Sequence, residues 1–304
     1  MMENKLITIL GTTATGKTKL AASLAAIIGG EIISADSRQV YRGMDIGSGK
    51  DITEFNINGI EVPYHLIDIV DPGYEYNVYE YQNDFFKAYK QIIENNNIAI
   101  IAGGTGMYIE SVLKGYRMAK VNTNEALRLQ LHKKTDKELQ EILFERRVPH
   151  NTTDLNDRER AYRAIEIEEY YKKYPELLID VPKIESINYG IRYDRQEIRN
   201  RITDRLDQRL NEGMISEVEN LINNGLEPNK LKFYGLEYKF ITQYVMKEIE
   251  YGEMFSGLNT AIHQFAKRQE TWWRRMEKNG TKIIWINGDI SLEEKLAFII
   301  GNLK

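Results

Sequence analysis

The sequence predicts an α/β protein that is built on a parallel sheet and carries a helical insertion. Short apolar runs alternate with helix-favouring stretches through residues 5–110. From about residue 117, long charged stretches replace this alternation, and apolar runs return near residues 187 and 283. Strands that alternate with helices require crossover connections, which produce a parallel sheet with ligand sites at the carboxyl ends of its strands.

Each predicted strand is a short apolar run that reads as a buried strand. The predicted strands are residues 6–10, 31–34, 98–102, 187–193 and 283–286. The predicted helices are residues 124–147, 157–174, 195–212, 214–224, 235–250 and 254–278. Pro149 and Pro175 interrupt the charged helical stretch. We therefore expect a core formed by residues 1–116 and 187–304, and a helical insertion domain of residues 117–186.

Composition limits the possible chemistry. The 304 residues include no cysteine, which excludes a disulfide scaffold, a thiolate zinc site and a cysteine nucleophile. No apolar run approaches the roughly 20 residues that a membrane helix needs, and no signal-like segment precedes the first strand. We therefore expect a cytoplasmic protein without membrane contact.

The net charge of −4 counts mildly against a nucleic-acid partner. The basic residues are nevertheless clustered, at residues 158–163, 192–209 and 267–275. Each cluster is either a nucleic-acid contact or a solvated helix face, and the sequence alone leaves both interpretations open.

Residues 11–18 read Gly-Thr-Thr-Ala-Thr-Gly-Lys-Thr, which fits the P-loop pattern G-x-x-x-x-G-K-[ST] between a predicted strand and a predicted helix. The backbone N–H groups of such a loop and the positive end of the helix bind phosphate oxygens. Lys17 supplies a positive charge, and the Thr18 hydroxyl is placed to ligate Mg²⁺. The expected diphosphate-binding residues are Gly11, Thr12, Thr13, Ala14, Thr15, Gly16, Lys17 and Thr18.

Two further side-chain groups are candidates for chemistry. Asp36 follows the second predicted strand, at the same sheet edge as the P-loop. Its carboxylate could be a general base, a loop cap or a water-mediated Mg²⁺ ligand. Arg201 and Arg205 lie four residues apart on one helix face, where a guanidinium could bind diphosphate or pair with a neighbouring aspartate. His65 is expected to be structural, beside Asp68.

Residues 34–47 read Ser-Ala-Asp-Ser-Arg-Gln-Val-Tyr-Arg-Gly-Met-Asp-Ile-Gly, and here the chain resembles the tRNA dimethylallyltransferases, also called tRNA isopentenyltransferases. Further similar segments follow in order along nearly the whole chain. They are residues 65–68, 103–108, 156–166, 201–207 and 266–274. The eukaryotic zinc-finger extension is absent, since the chain has no cysteine, and the chain is therefore similar to the bacterial form.

Three segments depart from the family pattern. Thr12 and Thr15 replace the proline and serine of the family's P-loop. Residues 47–51 read Gly-Ser-Gly-Lys-Asp where the family has Gly-Thr-Ala-Lys-Pro. Glu237 stands at a position that is basic in the family. This difference leaves open how residues 235–238 contact RNA.

The resemblance implies a P-loop kinase-like fold and an activity. The enzyme would use Mg²⁺ and transfer a dimethylallyl group from dimethylallyl diphosphate to N6 of the adenosine 3′ of the anticodon in tRNA. The implied catalytic residues are Asp36 as general base, with Thr13 and Arg205 at the diphosphate. The implied tRNA-binding residues are Asp36, Ser37, Arg38, Gln39, Thr105, Glu159, Arg160, Ala161, Tyr162 and Arg163. The insertion would contact the anticodon stem-loop, and a monomer is expected.

Three alternative functions are weighed against this one. A small-molecule P-loop kinase would use ATP and bind an acceptor hydroxyl at Asp36, but the 34–47 segment argues against it. A non-catalytic RNA-binding module with a relict P-loop is disfavoured by the intact Lys17, Thr18 and Asp36. A prenyltransferase acting on free adenine nucleotides is disfavoured by the basic insertion.

Overall fold

The computed structural model describes residues 6–145, 157–178 and 180–303. The chain divides into two compact units, residues 1–114 with 183–304, and residues 115–182. The sequence analysis places the corresponding boundaries at 117 and 186. Pro149 and Asn156, on which part of that analysis rests, lie outside the described residues.

The larger unit is built on a parallel sheet. The strands are β1 (Leu6–Gly11), β2 (Gly30–Ala35), β3 (Asn56–Ile57), β4 (Ile60–Glu61), β5 (Tyr64–His65), β6 (Ile98–Gly103), β7 (Ser186–Arg192) and β8 (Ile283–Asn287). Six of them form one sheet in the order β5-β2-β6-β1-β7-β8, and every pairing in it is parallel. The short strands β3 and β4 pair separately as an antiparallel hairpin. The predicted α/β class with a parallel sheet is thereby confirmed.

Helices connect the strands and form the smaller unit. They are α1 (Lys17–Ile28), α2 (Val78–Glu94), α3 (Gly106–Leu113), α4 (Glu125–Leu131), α5 (Asp136–Phe144), α6 (Arg158–Lys173), α7 (Arg195–Asn211), α8 (Met214–Asn223), α9 (Pro228–Leu231), α10 (Leu236–Val245), α11 (Tyr251–Lys278) and α12 (Leu292–Leu303). Among these described helices, none combines the length and the apolarity that crossing a membrane requires.

The central strand β1 explains why the sheet is covered on both faces. Successive strand residues point to opposite faces. Leu6 and Leu10 accordingly pack with α2, α3 and the end of α11, which contributes the fully buried Trp273. Ile7 and Ile9 pack with α1 and α12 on the other face. Strands buried on both faces read as continuous apolar runs, which is why they were recognisable in the sequence.

A third apolar cluster fixes α7 beside the P-loop. Ile202 and Leu206 of α7 pack with Ala14 of the loop, and with Met214 of α8 and Leu258 of α11. The polar face of α7 is therefore held against the carboxyl edge of the sheet, where the candidate site lies.

Two helix predictions need correction. The predicted helix over residues 124–147 is broken into α4 and α5, because Thr135 and Glu138 form a capping box that starts a new helix at Asp136. The predicted helix over 235–250 ends at Val245, and Lys247 then adopts a positive φ of 59°. The helices α9 and α12 and the short strands β3, β4 and β5 were not predicted.

The smaller unit has its own apolar core. Leu131 of α4, Leu139 and Leu143 of α5, and Ile165 of α6 pack together. Arg128 forms two hydrogen bonds with the buried carboxylate of Glu166, at 2.7 and 3.1 Å. This bidentate pair joins α4 to α6 without leaving a buried charge unpaired.

Candidate active site

The loops that follow β1, β2 and β6 meet at the carboxyl edge of the sheet, because these strands are neighbours. They carry the P-loop, residues 36–39 and Thr105. The Ser37 N–H donates to Thr105 Oγ1 at 3.0 Å, and the Thr105 N–H donates to the Ala35 carbonyl at 3.0 Å. The structure therefore brings together three of the segments in which the sequence analysis placed site residues.

The P-loop has a tightly closed backbone. Gly16 adopts φ 75°, a left-handed conformation that glycine tolerates, and α1 begins immediately after it. Ala14 is also left-handed, at φ 61°. The Thr12 carbonyl accepts hydrogen bonds from Thr15 Oγ1 at 2.8 Å and from Lys17 Nζ at 2.6 Å. Backbone groups of the loop are thus held in place by its own side chains.

Gln269 of α11 ties the P-loop to the loop after β6. Its Oε1 accepts from the Thr13 N–H at 2.9 Å, and its Nε2 donates to the Gly104 carbonyl at 2.8 Å. The side chain is only 7% exposed. Sequence analysis noted the segment 266–274 but gave Gln269 no role, because nothing local shows that an amide 256 residues away reaches Thr13.

The two candidate arginines of α7 differ in what they contact. Arg201 Nε donates to the Ala14 carbonyl at 3.0 Å, and its guanidinium lies over the ring of Tyr193. Arg201 therefore positions the P-loop backbone. Arg205 Nη2 lies 2.8 Å from a carboxylate oxygen of Asp51, a residue the sequence analysis did not consider as its partner.

A cleft of about 590 Å³ lies between the P-loop and α7. Its lining includes Lys17, Thr18, Arg205 and Arg209. Asp51 and Glu54 add two carboxylates to the same lining. A smaller adjoining cavity is lined by Thr13, Arg205, Arg209 and Glu237. The cleft thus offers a phosphate-binding loop and several cations to one ligand.

Burial and repulsion between cations dominate the electrostatics of this cleft. Burial, and then the nearby positive charge of Arg205, lowers the pKa of Lys17 to about 8. The carboxylates of Asp36 and Glu54 act in the opposite direction. Burial, followed by the charge of Asp51, raises the pKa of Glu54.

The segment that carries Asp51 is held by Glu217 of α8. This carboxylate accepts hydrogen bonds from the N–H groups of Asp45, Ile46 and Gly47, at 2.8, 2.7 and 3.1 Å. It also accepts one from the Tyr238 hydroxyl at 2.7 Å. No local pattern marks Glu217, since its backbone partners are about 170 residues away along the chain.

The prediction for His65 is wrong in one respect. Its Nε2 lies 2.7 Å from a carboxylate oxygen of Glu31, not beside Asp68. Asp68 instead pairs with the buried Lys50, which also donates to the Tyr41 carbonyl at 2.8 Å. The partner is Glu31 because β5 pairs with β2, the strand that carries it.

The candidate RNA-binding residues on α6 fall into three groups by exposure. Glu159 and Arg160 are exposed. Tyr162 and Ala161 are buried, at 1% and 5% exposure, so the structure opposes the expectation that their side chains reach RNA. Arg163 donates to the Val121 carbonyl at 2.6 Å and so is partly engaged within its own unit.

A P-loop beside a carboxylate-bearing loop at the edge of a parallel sheet defines an enzyme of the P-loop kinase-like class. Residues 39–276 match the model of the IPP transferase family. The chain is 52% identical over its full length to tRNA dimethylallyltransferase 2 of Bacteroides fragilis, and covers 99% of that protein. It belongs to this family of prenyltransferases.

Solved structures of similar fold include tRNA-modifying transferases. The tRNA isopentenylpyrophosphate transferase of Bacillus halodurans is similar with a TM-score of 0.72 and 29% identity, over 99% of this chain and 95% of that one. A eukaryotic dimethylallyltransferase acting on tRNA, 21% identical, shares the fold with a TM-score of 0.77, over 98% of this chain and 79% of that one. The resemblance and the P-loop kinase-like fold predicted from the sequence are confirmed.

The lowered pKa of Lys17 gives a testable prediction. In the unliganded protein, Lys17 should lose its proton near pH 8, whereas an ordinary lysine does so at about 10.4. Competitive acetylation between pH 6 and 11, read by mass spectrometry, measures this midpoint. The Arg205→Met variant should move the midpoint upward, because a neighbouring positive charge is removed.

The matched control is Arg199→Met, which removes an exposed charge from the same helix outside the cleft. It should leave the Lys17 midpoint unchanged. A wild-type midpoint near the ordinary lysine value would contradict the prediction.

Proposed function

We propose that this enzyme transfers a dimethylallyl group from dimethylallyl diphosphate to N6 of the adenosine 3′ of the anticodon in tRNA, and releases diphosphate. The observation that carries the proposal is the cleft beside the P-loop, which Lys17 and Arg205 line. Asp36 lies on the neighbouring loop, and the chain belongs to the IPP transferase family. The protein acts in the cytoplasm, where its tRNA substrate is found. It acts as a monomer. We favour this function over the kinase, since its relatives are named tRNA dimethylallyltransferases.

The P-loop binds the diphosphate of the donor. Backbone N–H groups of residues 14–16 and the start of α1 surround the phosphate oxygens, while the Thr13 N–H is bonded to Gln269. Lys17 and Arg205 add positive charge, and Thr13 contacts the same end from the adjoining cavity. As the carbon–oxygen bond breaks, the bonding electron pair leaves with the diphosphate, so these cations stabilise the transition state more than the bound donor.

Mg²⁺ fits the cleft through oxygen ligands. The Thr18 hydroxyl lines the cleft with the carboxylates of Asp51 and Glu54. Within the described ranges, no group of three or more histidine and acidic residues could hold a metal ion alone. Mg²⁺ characteristically keeps waters and takes further ligands from substrate phosphates, which suits this sparse set. When bound, it would neutralise charge on the leaving diphosphate.

Asp36 is the general base for the adenine amine. Its Oδ1 accepts the Arg38 N–H at 2.9 Å, which fixes the carboxylate at the turn after β2. N6 attacks the allylic carbon, a carbon–nitrogen bond forms, and the amine proton passes to the Asp36 carboxylate. Thr105, bonded to the same turn, contacts the RNA next to the reacting base. Ser37, Arg38 and Gln39 border the adenosine as it leaves its stack.

The unit of residues 115–182 binds the anticodon stem-loop. The proposal uses the exposed residues Glu159 and Arg160 at the start of α6, together with the part of Arg163 that remains exposed. Arg160 lies 3.8 Å from Asp157, a loose pair that RNA phosphate can replace. Ala161 and Tyr162 instead support the helix from inside.

The first prediction from this function concerns the identity of the donor substrate. With Mg²⁺ and unmodified tRNA, dimethylallyl diphosphate labelled in its prenyl group should leave the label on RNA, and diphosphate should be released in equal amount. ATP should not be consumed. ATP hydrolysis matched to turnover, with no label on RNA, would establish the kinase instead.

The Asp36→Asn variant tests the general base. Asparagine keeps the oxygen that accepts the Arg38 N–H but cannot accept a proton. The single-turnover transfer rate should therefore fall by about 10²-fold or more, while tRNA affinity stays within a few-fold. Asp71→Asn, at an exposed carboxylate paired with Arg42, is the control and should retain the wild-type rate. Loss of tRNA affinity with an unchanged transfer rate would limit Asp36 to recognition.

Arg160→Ala tests the RNA-binding unit. If Arg160 contacts a phosphate, the slope of log affinity for tRNA against log salt should fall by about 0.7 to 0.9. Lys137→Ala, which removes an exposed charge from α5, is the control and should keep the wild-type slope. Arg163 is unsuitable for this test, because it also donates to the Val121 carbonyl inside the unit. An unchanged slope in Arg160→Ala would make this cluster a solvated helix face.

A further inference from the structure

Arg209 lies one helical turn beyond Arg205 on α7 and has no assigned role. It is 9% exposed, and its buried Nη2 has no hydrogen-bond partner among the described residues. The side chain lines both the cleft beside the P-loop and the adjoining cavity that contains Thr13. A buried N–H group without a hydrogen-bond partner costs free energy, so a guanidinium in this position favours an anionic ligand in the cavities that it lines.

The charges around Arg209 agree with this interpretation. Burial, and then the like charge of Arg205, lowers the pKa of Arg209. The carboxylates of Glu237 and Asp51 act in the opposite direction. Glu237 lines the same small cavity, and Asp51 is already paired with Arg205. These acids offset the repulsion between the two arginines, but they leave Nη2 of Arg209 unbonded.

Three sequence departures from the family surround the same side chain. Gly49 stands where the family has alanine, and a Cβ at this position would collide with the Arg209 guanidinium. Asp51 replaces a proline and pairs with Arg205. Glu237 replaces a basic residue and contributes a negative charge beside Arg209. Gly49 therefore leaves space for the arginine at position 209, and Asp51 and Glu237 supply negative charge near it.

We infer that Arg209 is a second diphosphate-binding guanidinium, which acts beside Arg205 and replaces the positive charge that is missing at position 237. The inference rests on the proposed function. Residues four apart face the same side of a helix, and both arginines line the same cleft and the adjoining cavity, so one ligand there can contact both guanidinium groups. A guanidinium binds phosphate oxygens in a fixed, two-pronged geometry, and two of them match the two phosphate groups of the donor.

The test is a calorimetric titration with inorganic pyrophosphate and Mg²⁺. Arg209→Met should lose about 10- to 100-fold in pyrophosphate affinity, the range expected for one charge-assisted contact. The KM for dimethylallyl diphosphate should rise in parallel, while the KM for tRNA stays unchanged. Arg199→Met, which removes an exposed charge from the same helix outside both cavities, should keep the wild-type pyrophosphate affinity.

Arg209→Lys provides a second variant that keeps the charge but loses the two-pronged geometry, and it should show an intermediate loss. Removing an unpaired buried charge should not lower the melting temperature, so Arg209→Met should melt at or above the wild-type temperature. A lowered melting temperature, with donor and tRNA KM raised together, would overturn the inference in favour of a structural role.

The outcomes separate this inference from the proposed function. If wild-type protein binds pyrophosphate and prenylates tRNA, and Arg209→Met binds pyrophosphate equally well, then Arg209 is not a ligand and the function stands. If the wild-type protein neither binds pyrophosphate nor transfers the prenyl group, the proposed function itself is wrong.

Discussion

Repulsion between cations in one cleft is the constraint on which the rest of the site depends. Lys17, Arg205 and Arg209 line the space between the P-loop and α7. Arg209 is buried there, and low polarity around a buried charge strengthens its interaction with like charges. Burial, and then the positive charge of Arg205, lowers the pKa of Lys17 to about 8. Nearby carboxylates, such as Asp51, reduce the repulsion without filling the cleft. The site consequently places several positive charges beside a P-loop, which favours a polyanionic ligand.

The loops around this cleft depend on two side chains from the helical layer. Gln269 satisfies a P-loop N–H and a carbonyl of the neighbouring loop, and Glu217 accepts three consecutive backbone N–H groups. Met44 and Ile46, in the segment that Glu217 holds, also pack in the third apolar cluster. Hydrogen bonds to a charged acceptor contribute about 1.5 to 3 kcal/mol each, which is sufficient to fix such a segment. The loops of the candidate site are therefore held by side chains of α8 and α11.

Basic residues in the smaller unit have two different uses. Arg128 is joined to the buried carboxylate of Glu166, and Arg163 donates partly to a carbonyl of the same unit. These two arginines stabilise the smaller unit through internal contacts, so their charges are only partly available to a ligand. Arg160 is exposed with a loosely placed partner. The number of arginines in the sequence thus overestimates the positive charge that is available to bind a nucleic acid.

Local patterns in the sequence determined the strands, the P-loop and the family, because each is encoded by neighbouring residues. The strand β1 is apolar since both its faces are buried, and Gly16 is required by a positive φ. Tertiary structure alone decided the partners of Arg205 and His65, the bridging role of Gln269 and the burial of Tyr162. Such pairings join residues that are often more than 100 positions apart, and they follow from how strands and helices pack, which no local pattern records.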